Sequence, residues 1–205
     1  MTPHYWKQAT REIAARDAVL KKLITKFKGL ALGSRGDAFA TLARAIVGQQ
    51  ISVKAAQSVW NRLTADLSAV TPATIVRAEA ARLRGCGLSS QKVIYLQELA
   101  AHFHSGAIAV DNWSQLDDEA LIDELMHVKG IGRWTAEMFL IFYMARPDVL
   151  PLDDIGLQRA MSLNYNQGKP LSRLKMRKIG NNWAPWRSVA TWYLWRSLDP
   201  IPVEY

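Results

Sequence analysis

The chain has 205 residues, 49% of them apolar, enough for one large domain or two small ones around a sizeable core. Lysine and arginine number 26 against 18 acids, and the resulting net charge of +8 favours a polyanionic partner. Cys86 is the sole cysteine, which excludes an internal disulfide framework and a cysteine-held iron–sulfur cluster and fits a reducing compartment.

The start, Met1-Thr2-Pro3-His4-Tyr5-Trp6-Lys7, has no continuous apolar run. Neither a signal peptide nor a membrane span is expected, and the setting is predicted to be cytoplasmic and nucleoid-associated, without a membrane partner. Apolar residues recur at helical spacing throughout and no long alternating run appears, so the predicted class is all-α. Ser52 can cap a helix beginning at Val53, which would leave Gln49 and Gln50 as surface residues. Thr71-Pro72 reads as an N-cap followed by proline at the first helical position. Ser89 or Ser90 can cap a segment running to about His104. Asp117 can cap Glu119 to Met126, where Leu121, Ile122 and Leu125 share a face. The stretch Met138-Phe139-Leu140-Ile141-Phe142-Tyr143-Met144 is apolar all round, as in a buried helix, and Arg146-Pro147 is predicted to end it. A further helix is expected over Ile155 to Leu163.

Charge is segregated along the chain. From Asp111 to Glu124 there are six acids and no base, and from Ile155 to Leu198 eight bases and no acid. Two solvated faces would account for this, and so would one DNA-facing and one DNA-averse lobe.

Two segments carry the chemistry. In Val128-Lys129-Gly130-Ile131-Gly132-Arg133 one helix ends and another begins. The glycines permit a tight turn and close approach of another backbone. Free N–H groups and the positive end of the new helix suit a phosphate, with Lys129 and Arg133 adding charge at the rim. Nothing in the turn reads bases, so binding there would be independent of sequence. A plain helix–helix turn would also fit. The second segment is Leu150-Pro151-Leu152-Asp153-Asp154-Ile155. One aspartate can be the N-cap of the following helix.

The turn with its helical, apolar flanks (Leu125 to Ala136) resembles the helix-hairpin-helix motif of the DNA glycosylase superfamily, with Lys129 where proline is usual. The Asp154 segment looks like that of the alkylation-repair branch, the 3-methyladenine glycosylase II type. Ala184-Pro185-Trp186-Arg187-Ser188-Val189-Ala190 is similar to that branch's C-terminal helix. Ile46-Val47-Gly48-Gln49-Gln50-Ile51-Ser52-Val53 is similar to its minor-groove loop. The resemblance spans about residues 37–198 and implies a compact form without the branch's N-terminal α/β domain. It implies two helical lobes, 37–146 and 1–36 with 147–205, with the site in the cleft between them.

By this resemblance Asp154 is the catalytic carboxylate. Trp134 and Trp195, with Met138 and Ile155, would line the base pocket; the last two stand where the best-known bacterial form has aromatics. Gln49, Gln50, Ser52, Lys129, Gly130, Ile131, Gly132, Arg133 and Thr135 would contact DNA, with Gln50 plugging the gap left by a flipped nucleotide. No cofactor would be required, although backbone carbonyls of Met126, Val128 and Ile131 would hold a structural Na+ or K+. Superfamily members that also nick the strand have a lysine where this chain has Trp134, so a monofunctional enzyme is expected. It would act as a monomer on double-stranded DNA containing alkylated bases, chiefly 3-methyladenine and 7-methylguanine. The sequence leaves open another lesion (1-methyladenine, 3-methylcytosine or hypoxanthine) and a non-catalytic DNA-binding module.

Overall fold

The computed structural model describes residues 2–33, 37–108 and 110–198; the side chain of Val53 is not among them. Every regular element among the described residues is helical, in agreement with the all-α expectation. The chain divides into two units, Met1–Ser34 with Leu140–Glu204, and Arg35–Phe139.

The second unit holds α3 (Ala38–Gly48), α4 (Val53–Leu67), the short α5 (Pro72–Arg77) and α6 (Ala80–Gly85), α7 (Ser90–Ser105), a 3-10 turn (Val110–Gln115) and α8 (Asp118–Met126). It also holds the start of α9 (Arg133–Phe142). The predicted caps form because a side-chain oxygen satisfies an amide that the first helical turn leaves without a partner. Ser52 accepts from Ala55 N, Thr71 from Thr74 N, Ser89 from Lys92 N, and Asp117 from Ala120 N. Between the two serine candidates, Ser89 is the cap of α7. Helix α3 is buried along most of its length, and Trp113 meets Phe139 edge-on at 5.2 Å.

The other unit combines α1 (Trp6–Arg16) and α2 (Ala18–Lys26) with α10 (Ile155–Tyr165), α11 (Arg173–Asn181) and α12 (Arg187–Leu198). Its core is aromatic. Trp6 packs edge-on against Trp192 at 5.2 Å, and Tyr5 stacks on Trp186 at 5.6 Å. Asp17 caps α2 and also accepts from Trp183 Nε1 at 3.0 Å and Tyr165 Oη at 2.7 Å, so the N-terminal segment is stitched to the C-terminal one.

Two boundaries differ from expectation. The buried helix stops at Phe142, not at Arg146-Pro147: Ala145 takes a left-handed conformation (φ +51°), and the chain turns back so that Arg146 N donates to Leu140 O at 2.9 Å. The units divide inside this helix, at Phe139/Leu140 instead of 146/147. The reason is that the helix end packs with the C-terminal segment, where Phe142 stacks on Trp195.

Candidate nucleic-acid interface and catalytic carboxylate

The turn between α8 and α9 closes through Ile131 N donating to Val128 O at 3.0 Å. Val128 and Ile131 point inward, 3% and 4% exposed, while Lys129 and Gly132 face solvent. The two glycines differ in kind. Gly130 has φ +90°, and a Cβ there would lie 2.2 Å from the Tyr95 ring, so the fold itself requires glycine. A Cβ on Gly132 would meet no atom within 4 Å. Packing within the fold therefore does not require glycine at 132. Arg133 is partly exposed and its charge is paired. Its guanidinium binds Glu119 at 2.5 and 2.8 Å and lies 3.4 Å from the buried Glu137, and the Glu119 bond raises its pKa.

The loop after α3 is tied to this turn. Gln49 Nε2 donates to Gly130 O at 2.9 Å and Thr135 Oγ1 at 3.1 Å. Thr135 is 2% exposed. The side chains of Gln49 and Thr135, both expected on DNA, thus link loop to hairpin in this structure. Gln50 follows, exposed and left-handed at φ +59°. Such a conformation costs a non-glycine residue about 1–2 kcal/mol. Ile51 beside it is 40% exposed, and Ser52 starts α4.

Lys92 and Tyr95 hold these parts in place and escape notice in the sequence. Lys92 Nζ donates to Val47 O at 2.7 Å and Gln49 O at 2.8 Å, a cation on the carbonyl end of α3. Burial lowers its pKa. Both residues lie on α7, more than thirty positions from what they touch. The only trace in the sequence is their spacing of three, which puts them on one helix face.

Asp154 is the N-cap of α10. Its Oδ1 accepts from Leu157 N at 2.6 Å and from Trp195 Nε1 at 2.7 Å. The turn before it is held by Asp154 N on Pro151 O at 3.0 Å and by Gln158 Nε2 on Leu152 O at 2.9 Å. The cap bond and the indole bond together fix the orientation of this carboxylate. Trp195 lies parallel to Phe142, with ring centroids 5.7 Å apart and planes inclined by 10°. A Cβ on Gly156 would sit 3.0 Å from Asp154 Oδ1 and 3.3 Å from the Trp195 indole, so glycine lets the indole reach the carboxylate. Asp153 is exposed and takes Arg173 in a two-armed ion pair. Ile155 is 79% exposed, whereas Met138 is 1% exposed and belongs to the core, not to an open pocket wall. Trp134, in the first turn of α9, is half-buried. Among the described residues no group of histidine, cysteine and carboxylate side chains is arranged to hold a metal ion.

The hairpin and the carboxylate 22 residues beyond it both lie within a segment that matches a class of base excision DNA repair proteins. Residues 43–185 match the HhH-GPD superfamily of base excision DNA repair proteins, and the chain belongs to this family. It is 32% identical over 182 residues to DNA-3-methyladenine glycosylase 1 of Schizosaccharomyces pombe, covering 87% of this chain and 80% of that one. The solved S. pombe 3-methyladenine DNA glycosylase in complex with abasic DNA superposes with a TM-score of 0.85 at 30% identity, over 97% of this chain and 99% of that one. A DNA-3-methyladenine glycosidase from Bacillus halodurans gives a TM-score of 0.78 at 32% identity, over 93% and 89%. No helix among the described residues is long and apolar enough to cross a membrane.

Proposed function

We infer that the chain is a DNA glycosylase of the alkylation-repair type, removing 3-methyladenine and 7-methylguanine from double-stranded DNA as a monofunctional, monomeric, cytoplasmic enzyme. The observation that carries this reading is the carboxylate of Asp154, fixed by two N–H donors on one oxygen. In the reaction the C1′–N bond breaks and its electron pair leaves with the base. For an N-alkylated purine, already cationic, the base departs neutral without a general acid. Positive charge grows on the sugar, where ionised Asp154 stabilises it and orients the water whose oxygen bonds to C1′. A proton is then released, leaving an abasic site. Related sugar transition states use carboxylates in the same manner.

The nucleotide must leave the helix first, at a cost of a few kcal/mol. Gln50, presented by its left-handed backbone, is assigned to fill the gap, and Gly130 to Gly132 to hold a phosphate. Trp134 and Trp195 are assigned to hold the base, since indole faces attract an electron-poor ring by about 0.5–2 kcal/mol each. The backbone carbonyls of Met126, Val128 and Ile131 are neutral, hard donors in a tight turn, a set that fits Na+ or K+. A cation there would add positive charge for the phosphate.

The test is Asp154→Asn. Asparagine caps helices as well as aspartate and still accepts from Leu157 N and Trp195 Nε1, so the fold should persist. Release of free methylated base from alkylated duplex should fall to background, with binding to an abasic duplex retained. Undiminished release would refute the assignment. Binding by the unaltered protein without any base release, over a panel of single-lesion duplexes including hypoxanthine, 1-methyladenine and 3-methylcytosine, would make it a DNA-binding module.

A further inference from the structure

Charge is divided unequally between the two units. The unit carrying the hairpin, Arg35–Phe139, has 10 bases against 11 acids, a net of −1. The unit carrying Asp154 has 16 bases against 7 acids, a net of +9. The hairpin's own arginine is bound by Glu119 and lies close to Glu137. Long-range attraction for a polyanion must therefore come from the unit of Asp154, since phosphate neutralisation supplies most of non-specific DNA affinity.

Within that unit one surface is built for it. Helix α11 buries Met176 and Gly180, one turn apart. Lys175, Arg177 and Lys178 consequently face solvent, with exposed Lys169 shortly before the helix. None of these four meets a carboxylate among the described residues, unlike Arg173, whose pair with Asp153 fixes the start of α11 to the residue before Asp154. Lys175 and Lys178, three positions apart, share one face of α11, with Arg177 on its flank, and all three are exposed. Arg173, paired with Asp153, starts the same helix.

We propose that Lys175, Arg177 and Lys178 form a second DNA-backbone contact, which holds the duplex on the unit of the catalytic carboxylate independently of the hairpin. It rests on the DNA-repair reading above and adds the surface through which the catalytic unit itself grips DNA.

The experiment compares the full chain with K175Q/R177Q/K178Q and with K21Q/K22Q/K28Q. The latter removes the same charge from exposed lysines in and just after α2. Affinity for an undamaged duplex is measured by fluorescence anisotropy across a salt series. Each phosphate contact contributes about 0.9 to the slope of log K against log salt. The α11 variant should lose up to about 2.7 from that slope, and the α2 variant should stay at the unaltered value. Base release by the α2 variant, under single turnover at low salt and saturating enzyme, should match the parent. A slope change below one contact in the α11 variant, or an equal fall in both variants, would overturn the proposal. Absence of base release in the parent would instead overturn the glycosylase reading and leave the slope result standing.

Discussion

Trp195→Phe separates two roles that one side chain combines. The indole can stack on a base, and its Nε1–H donates to Asp154 Oδ1 at 2.7 Å. Phenylalanine keeps an aromatic face beside Phe142 and deletes the donor. A hydrogen bond to a charged acceptor is worth about 1.5–3 kcal/mol. Were all of it expressed in the transition state, the chemical step would slow about 10- to 150-fold. The bond from Leu157 N to the same oxygen, at 2.6 Å, remains and limits how far the carboxylate can swing. Losing one donor also concentrates negative charge on the carboxylate, which works in the opposite direction by stabilising the sugar cation more. We therefore expect the lower end, about tenfold. The assay is single-turnover release of 7-methylguanine from duplex DNA, paired with equilibrium binding to an abasic duplex and a thermal melt. Slower release with unchanged abasic-duplex affinity is the expected pattern. An unchanged rate would show that the indole N–H does not position Asp154. A loss confined to binding would show that Trp195 acts only as a wall.

The two hairpin glycines should separate stability from binding. Gly132→Ala introduces a methyl that meets no atom within 4 Å, so the melting curve should hardly move while affinity for undamaged duplex falls about tenfold or more; unaltered affinity would remove Gly132 from the interface. Gly130→Ala places a methyl 2.2 Å from the Tyr95 ring on a left-handed backbone, and overpacking of this kind costs about 1–3 kcal/mol before the backbone term, so denaturant midpoints should drop clearly; an unshifted midpoint would contradict the packing described. Burial raises the pKa of Tyr5, whose hydroxyl donates to Ala145 O at 2.6 Å, from 10.0 to about 12. The native state thus keeps a proton that the unfolded chain loses between those values. Stability is complete below pH 10 and falls as pH rises towards 12, by roughly 2–3 kcal/mol for this group. Chemical denaturation at pH 9 and 11 should show a smaller difference in Tyr5→Phe than in the parent, and an equal difference would place the alkaline loss elsewhere.

Local signals were legible in the sequence and long-range bonds were not. Ser52, Thr71, Ser89 and Asp117 announce helix starts because capping is decided within three residues, and all four make the bond. The end of α9 is not legible, because the proline at 147 is a visible stop, whereas the left-handed Ala145 just beyond the actual end at Phe142 carries no compositional mark. Charge puts Arg133 at the rim of the hairpin, and the family resemblance puts Thr135 and Gln49 on DNA. Their partners, Glu119, Glu137 and Gly130, depend on how α3, α8 and α9 pack, and one-dimensional spacing does not report that. Asp154 shows the same limit from the other side. Its place before Ile155 suggested a cap, and its resemblance suggested a catalyst. Only the folded chain brings Trp195 from 41 positions away onto the oxygen that caps α10, so the cap also orients the carboxylate. Both a helix amide and an indole orient this carboxylate. That gives a physical reason why Gly156, whose Cβ would crowd both groups, lies between the aspartate and the amide it caps.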